Sequence, residues 1–233
     1  MGETWAERAR LSEAAYARDP ERGEGEPSAF VRWAVRQLRQ RAGRRDVIEA
    51  GCATGRDAAF LALEGYRPVG VDFSSVAIDR ALERQRTLRE PFRSRLGFVH
   101  GEVGQFLQGR PPDSVDGVLA HLVYMSWSEP ELATWFSQVA RVLRPNGLHL
   151  FAVRDTTDPN ATKGTLVAPR TRLGGPHEVP YRYFTLEDIR SLGGPEFERV
   201  EVTRSADQHV FFVADRRSMG PRAPPGTEAM GRA

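Results

Sequence analysis

The chain has 233 residues, 40% of them apolar and 27% charged, with a formal net charge of +2. That is enough to bury one full core, and no apolar run approaches the length of a membrane span, so a membrane-crossing helix is excluded and no membrane partner is expected. Lys163 is the only lysine, so 32 of the 33 basic residues are arginine, with acids interspersed almost everywhere. This reads as the bias of a GC-rich, bacterial genome and not as a nucleic-acid footprint. The single cysteine, Cys52, allows no internal disulfide and cannot bind a metal alone. The charged start Met1-Gly-Glu-Thr-Trp-Ala-Glu-Arg8 lacks the apolar core of a secretory leader, so a cytoplasmic protein is expected.

Residues 3 to 18 and 28 to 40 carry helical patterns, the second with an apolar stripe at Phe30, Val31, Ala34 and Leu38 and with Ser28 available as its cap. The basic group that follows, Arg36, Arg39, Arg41, Arg44 and Arg45, reads as a solvated helix end. Then comes Asp46-Val-Ile-Glu-Ala-Gly-Cys-Ala-Thr-Gly-Arg-Asp57. Val47 and Ile48 predict a short strand, Gly51 and Gly55 a sharp turn, and Ala58 to Leu63 a helix. Val69-Gly-Val-Asp72 predicts a second strand ending in a carboxylate, a spacing at which Asp72 can grip the two hydroxyls of a ribose. Together these form a nucleotide-binding βαβ unit.

Leu96 to His100 predicts a third strand and Ser114 to His121 a fourth, emptying into Leu122-Val-Tyr-Met-Ser-Trp127. Ser128 and Glu131 predict a capped helix start, after which Leu132, Trp135, Phe136, Val139, Val142 and Leu143 share one face. His149 to Val153 predicts the fifth strand. The segment Asp155 to Phe184 is about thirty residues long, beyond an ordinary connection, and is expected to be a lid or binding loop. Thr185 to Leu192 predicts a capped helix, and Phe197 to Thr203 with His209 to Ala214 an antiparallel hairpin around Arg204-Ser-Ala-Asp207. From Ser218 on, a proline- and glycine-rich tail is expected to be disordered.

Two ligand classes share the βαβ unit, and glycine spacing separates them. A dinucleotide turn wants glycines at its first, third and sixth positions. Here those are Gly51, Ala53 and Arg56, and an arginine in the last slot prevents close packing of helix on strand. The acidic-x-Gly-x-x-x-Gly reading, Glu49, Gly51 and Gly55, resembles motif I of class I S-adenosylmethionine-dependent methyltransferases, although Ala53 stands where that family most often has glycine. The resemblance extends over roughly residues 46 to 214 and includes Leu143-Arg-Pro-Asn-Gly, similar to the family's Leu-Arg-Pro-Gly-Gly turn.

The resemblance implies a three-layer α/β/α sandwich on a seven-stranded, mostly parallel sheet with a C-terminal antiparallel hairpin. It implies one domain over residues 1–217, with 1–45 a helical cap, 155–184 a substrate lid and 218–233 a tail. It also implies S-adenosylmethionine as cofactor and no metal. Glu49 is expected to anchor the methionine end, Gly51, Cys52, Ala53 and Gly55 to form the close-approach turn, and Asp72 to take the ribose. Phe73 is expected against the adenine, Glu102 and Val103 at its amino edge, and His121 at the junction with the acceptor.

Other methyltransferase chemistries lack their signatures. After the fourth strand stands Ala120-His-Leu-Val-Tyr124, not the Asn/Asp-Pro-Pro-aromatic turn of base-amine enzymes; the one cysteine lies in the cofactor turn, one lysine is too few for the ribose-hydroxyl type, and no paired-glutamate loop of the arginine type follows. A small organic acceptor is expected, methylated at oxygen, nitrogen or sulfur by a monomer or homodimer. Gly55-Arg56-Asp57 and Phe60-Leu-Ala-Leu-Glu-Gly-Tyr-Arg67 resemble the thiopurine and tellurite-resistance type of methyltransferase, and equally those that tailor secondary metabolites. Because the methyl sulfonium is already activated, catalysis asks chiefly for alignment and exclusion of water, with a base only where the acceptor must lose a proton. His121 is the candidate base, and Tyr124 and Arg154 are the other candidate catalytic residues. Trp127, Asp155, Tyr181 and Tyr183 are the candidate substrate contacts. The alternatives are a nicotinamide-dependent oxidoreductase and a non-catalytic module that binds S-adenosylmethionine.

Overall fold

A computed structural model describes residues 5–41, 43, 45–174, 177–192, 196–204 and 209–216. In chain order the elements are α1 (Trp5–Arg18), α2 (Ala29–Leu38), β1 (Asp46–Ala50), α3 (Arg56–Leu63), β2 (Arg67–Asp72), α4 (Ser75–Thr87), α5 (Phe92–Arg95), β3 (Gly97–His100), α6 (Val103–Gln108), β4 (Val115–His121), α7 (Glu129–Val142), β5 (Leu143–Arg154), β6 (Thr165–Ala168), β7 (Thr171–Gly174), β8 (His177–Arg182), α8 (Leu186–Leu192), β9 (Phe197–Arg204) and β10 (His209–Arg216). Short 3-10 turns cover Tyr124–Ser126 and Pro159–Thr162. No helix among the described residues is long and apolar enough to cross a membrane. The tail from Ser218 lies outside the described residues, as do residues 205–208 of the hairpin turn.

The main sheet runs β3-β2-β1-β4-β5-β10-β9, parallel except that β10 is antiparallel to both β5 and β9. Ile48 at the centre pairs with Val69 on one side and Val118 on the other. Strand order reverses at β1, where chain connections leave in opposite directions and open a crevice at the carboxyl ends of β1 and β4. Successive strand residues point to opposite faces, which divides the core. Val47, Leu119, Leu150 and Phe211 pack with Phe30, Val31 and Trp33 of α2 and Leu61 of α3, while Ile48, Val118, Phe151 and Phe212 pack with Leu107 of α6 and Leu132, Trp135, Phe136 and Val139 of α7. Each such large side chain, fully buried, stabilises by roughly 1.5–3 kcal/mol.

The predicted caps form: Ser28 Oγ accepts from Val31 N, and Ser128 and Glu131 make a reciprocal capping box. Asp155 to Phe184 departs from the loop reading. Its later part forms a three-stranded antiparallel sheet, β6-β7-β8, separate from the main one. Its strands are four to six residues long, too short to leave an alternating pattern, and the β6–β7 turn uses a non-glycine residue, Arg170, at φ 55°.

Candidate functional site

A cavity of about 1010 Å³ occupies the crevice above β1 and β4. Its floor is the turn after β1, whose left-handed residues are Gly51 (φ 65°), Ala53 (52°) and Gly55 (73°). At Gly51 a Cβ would stand 2.7 Å from Val123 Cγ2, and at Gly55 2.3 Å from Phe98 Cζ, so both need the bare backbone. Asp72, 5% exposed, fixes the turn: its Oδ2 accepts from Ala53 N and its Oδ1 from Ser74 N, both at 2.9 Å. Burial raises its pKa above the ordinary carboxylate value against these donors.

Glu49, also 5% exposed, is raised further, first by burial and then by the charge of Asp57, and its Oε2 has no hydrogen-bond partner among the described residues. A buried carboxylate left in this way is suited to a cationic ligand group. Asp57 goes the other way. Burial would raise it, but the facing His121 ring, the hydrogen bonds from Ser28 and the charge of Arg56 hold it well below the usual range. Ser28 donates to it twice, from N at 2.9 Å and from Oγ at 2.5 Å, and Arg56 Nε donates at 3.0 Å. His121 turns Nδ1 toward Asp57 Oδ2 at 3.7 Å, with its ring stacked on Phe30 at 5.0 Å.

The other half of the cavity is built by the residues after β4, by α7 and by α1. Trp127 and Trp135 meet edge to face at 5.2 Å, with Thr134 and Gln138 beside them and Gln105 and Gln108 of α6 opposite. Helix α1 lines the cavity and is held at two points. Glu13 accepts from Ser74 Oγ and Ser75 Oγ at 2.5 Å each, while Arg8 donates to Ser126 O at 2.8 Å and pairs with Glu131. Burial would raise Glu131, but the Arg8 and Ser128 donors outweigh it and hold it at about 2.

Residues 47–147 match the family described as "Methyltransferase domain". Over those residues the chain is similar to methyltransferase domains. A protein of Mycolicibacterium smegmatis named as a probable S-adenosylmethionine-dependent methyltransferase is 30% identical over 115 residues, 49% of this chain and 40% of its own length. A probable thiol methyltransferase 2 of Arabidopsis thaliana is 24% identical over 183 residues, 78% of this chain and 66% of its own. The curated relatives that match are thus spanned over 40 to 66% of their length. Among solved structures, the Burkholderia thailandensis 1,6-didemethyltoxoflavin-N1-methyltransferase, with bound 1,6-didemethyltoxoflavin and S-adenosylhomocysteine, shares the fold at TM-score 0.67 and 22% identity, covering 92% of this chain and 91% of that one.

The cavity collects Glu49, Gly51, Cys52, Ala53, Asp72, Phe73, Glu102, Val103, His121 and Trp127 of the expected residues, and Tyr181 joins them from β8. Glu102 lines the wall while its carboxylate caps α6, accepting from Gly104 N and Gln105 N at 2.7 Å each. Gly55 is not on the wall; it opens α3.

Four more expected residues fall outside the cavity. Tyr124 is fully buried, its hydroxyl accepting from Trp135 Nε1 and donating to His149 Nε2, both at 2.5 Å. Arg154 binds Asp158 Oδ2 at 2.5 Å and reaches the cavity wall only through Tyr181. Asp155 is 2% exposed, accepts from Thr157 N and Oγ1, and pairs with Arg204. Tyr183 lines a separate space of about 230 Å³ with Arg170 and Arg172. Asp57, Tyr16, Arg8 and Glu131 line the cavity without having been expected there. Asp57 had a local signal, since it directly follows Arg56 in the turn motif. Arg8 and Glu131 meet across 123 positions, which no local pattern records.

Proposed function

We propose that the chain is an S-adenosylmethionine-dependent methyltransferase moving a methyl group to oxygen, nitrogen or sulfur of a small organic acceptor, as a cytoplasmic monomer or homodimer without a nucleic-acid partner. The observation that carries this reading is the continuity of the cavity. The turn with Glu49 and Asp72, and the aromatic wall of Trp127 and Trp135, open into one space of about 1010 Å³, at the upper end of the range for single-ligand pockets. The names of the relatives, one for thiols and one for a planar heterocycle, support a small acceptor.

The residues present fit the cofactor. The unpartnered Glu49 oxygen suits its ammonium, and Asp72 at the tip of β2 suits its ribose. When bound, the cofactor supplies an already activated methyl group. The chain's own work is to hold the acceptor in line, with Trp127, Trp135 and Tyr181 as walls, and to keep water out with α1 strapped by its Arg8 and Glu13 ends. The oxidoreductase reading loses support from Arg56 at the head of α3, where a dinucleotide turn needs a small residue, and from the antiparallel β9–β10 edge.

Parallel calorimetric titration with S-adenosylmethionine, S-adenosylhomocysteine and NAD tests this. Saturable one-to-one binding of the first two alone is expected; binding of NAD alone, or of none, sinks the reading.

A further inference from the structure

On the side of the cavity formed by α1, α6 and α7, the charged groups are already spent among the described residues. Arg8 donates to Ser126 O and to both oxygens of Glu131, and one of those oxygens also accepts from Ser128 N and Oγ at 2.7 Å each. Glu102 gives its two oxygens to the N–H groups of Gly104 and Gln105. A carboxylate, phosphate or ammonium seated there would give up its water with no counter-charge in exchange.

What remains are amides and an aromatic surface. Gln105 and Gln108 stand one turn apart on α6, with side chains unpartnered among the described residues. Gln138 of α7 is fixed. Arg141 Nε, which can only donate, holds Gln138 Oε1 at 3.0 Å, and Arg141 is itself anchored on Leu107 O and Arg110 O at 2.6 and 2.8 Å. The amide orientation is thereby set, and Nε2 is left with both protons and no acceptor among the described residues. Trp127, half-buried, meets Trp135 at an interplanar angle of 88° and keeps part of its indole on the cavity. A flat aromatic ligand packs on such a surface with a gain beyond its buried area.

We infer that the acceptor is an uncharged, planar heteroaromatic ring, packed on Trp127 and held by an edge carbonyl or ring nitrogen that accepts from Gln138 Nε2. Gln138 is then a specificity-determining residue for the transfer. This rests on the methyltransferase reading, which makes the ligand at this wall a methyl acceptor. A saturated ring lacks the face that Trp127 takes. A ring without an edge acceptor leaves the Gln138 donor unpaired, which is how a polar site rejects an analogue.

Calorimetry on the whole chain, with and without saturating S-adenosylhomocysteine, tests this with three bicyclic probes. One is 2-quinolone, flat and neutral, with a carbonyl beside its N–H. Quinaldate keeps the flat bicycle and adds a charge, and octahydro-2-quinolone keeps the carbonyl and loses the flat ring. The wild-type chain is expected to bind 2-quinolone at least about tenfold more tightly than quinaldate and about three- to tenfold more tightly than the saturated lactam. Gln138→Leu should weaken 2-quinolone by about three- to tenfold, with S-adenosylhomocysteine binding retained as the sign of a folded site. Trp127→Leu should erase the preference over the saturated lactam.

Absence of 2-quinolone binding, or equal binding of quinaldate or of the saturated lactam, overturns the inference on the wild-type chain alone. An unchanged 2-quinolone affinity in a Gln138→Leu chain that still binds S-adenosylhomocysteine removes Gln138 from the acceptor site. Failure of S-adenosylhomocysteine to bind, with the three probes ranked as expected, counts against the methyltransferase reading alone.

Discussion

His149 makes stability depend on acid in a calculable way. It sits on the α7 face of β5, wholly buried among Phe136, Phe151 and Phe197 at ring distances of 4.7, 4.9 and 5.8 Å, and burial alone drives its pKa down to about 3. Folded, it stays neutral; unfolded, it takes a proton below about 6.5. The unfolded chain therefore binds more protons between those values, and the contribution of His149 is complete above pH 6.5 and lost as pH falls toward 3. The slope approaches about 1.4 kcal/mol per unit below pH 6, so acidification from pH 6.5 to 4.5 removes about 2 kcal/mol.

His149→Phe deletes the titrating group and suits the aromatic surroundings, at the expense of the Tyr124 hydroxyl, whose unpaired donor costs about 1–3 kcal/mol at every pH. Glu49 and Asp72 are raised by burial and so favour the folded state as pH falls, but they do so equally in both proteins. Urea unfolding followed by tryptophan fluorescence should show the variant less stable at pH 7, with the gap closed or reversed at pH 4.5. Parallel stability profiles between those pH values would refute the reasoning, because they require a His149 that protonates alike in both states.

Tyr124→Phe should strand Trp135 Nε1–H and the His149 ring, costing about 2–5 kcal/mol in urea unfolding; S-adenosylhomocysteine affinity should not change, and a tenfold loss in a folded variant means Tyr124 reaches the cavity. Asp72→Ala should weaken that ligand by about 1.5–3 kcal/mol, roughly 10- to 150-fold by calorimetry, and unchanged affinity removes Asp72 from the ribose. Gly55→Ala forces a side chain into φ 73° and against Phe98 and Ala81; strain and overpacking together should cost about 2–4 kcal/mol, read as a melting point lower by about 5–15 °C. Ala53→Gly relieves the left-handed strain at φ 52°, offset by glycine's greater freedom when unfolded, for a net gain of about 1 kcal/mol; a loss of stability means the alanine methyl packs usefully.

The fold was legible wherever one local rule decided the outcome. Short apolar runs pointed to β1, β2 and β4, the face from Leu132 to Val142 to α7, and the short link between the last two apolar runs required an antiparallel pair, which became β9 and β10. The small β6-β7-β8 sheet was illegible for the converse reason. Thr165–Ala168 is exposed throughout, so no alternation of apolar and polar residues marks it, and its pairing with Thr171–Gly174 is set by a turn at Arg170 that its residue type does not announce.

The candidate site was half legible, and the division follows the backbone. The proposed cofactor half lies within three strand tips, where spacing along the chain translates directly into position, so Glu49, Gly51, Asp72, Phe73 and Glu102 all reached the cavity. Beyond β4 that translation fails at one residue. Leu122 adopts φ 58° without being glycine, and the chain there reverses into a 3-10 turn. Continued extension would have pointed residues alternately at the ligand; instead His121, Leu122 and Val123 stay on the wall, Tyr124 drops into the α7 core to meet Trp135 and His149, and Trp127 returns to the cavity. The same reversal leaves room for α1 to bring Arg8 onto Ser126 O and Glu131, a closure between residues more than a hundred positions apart. The proposed acceptor half is thus defined by a strained backbone residue and a long-range ion pair, two features whose causes are tertiary.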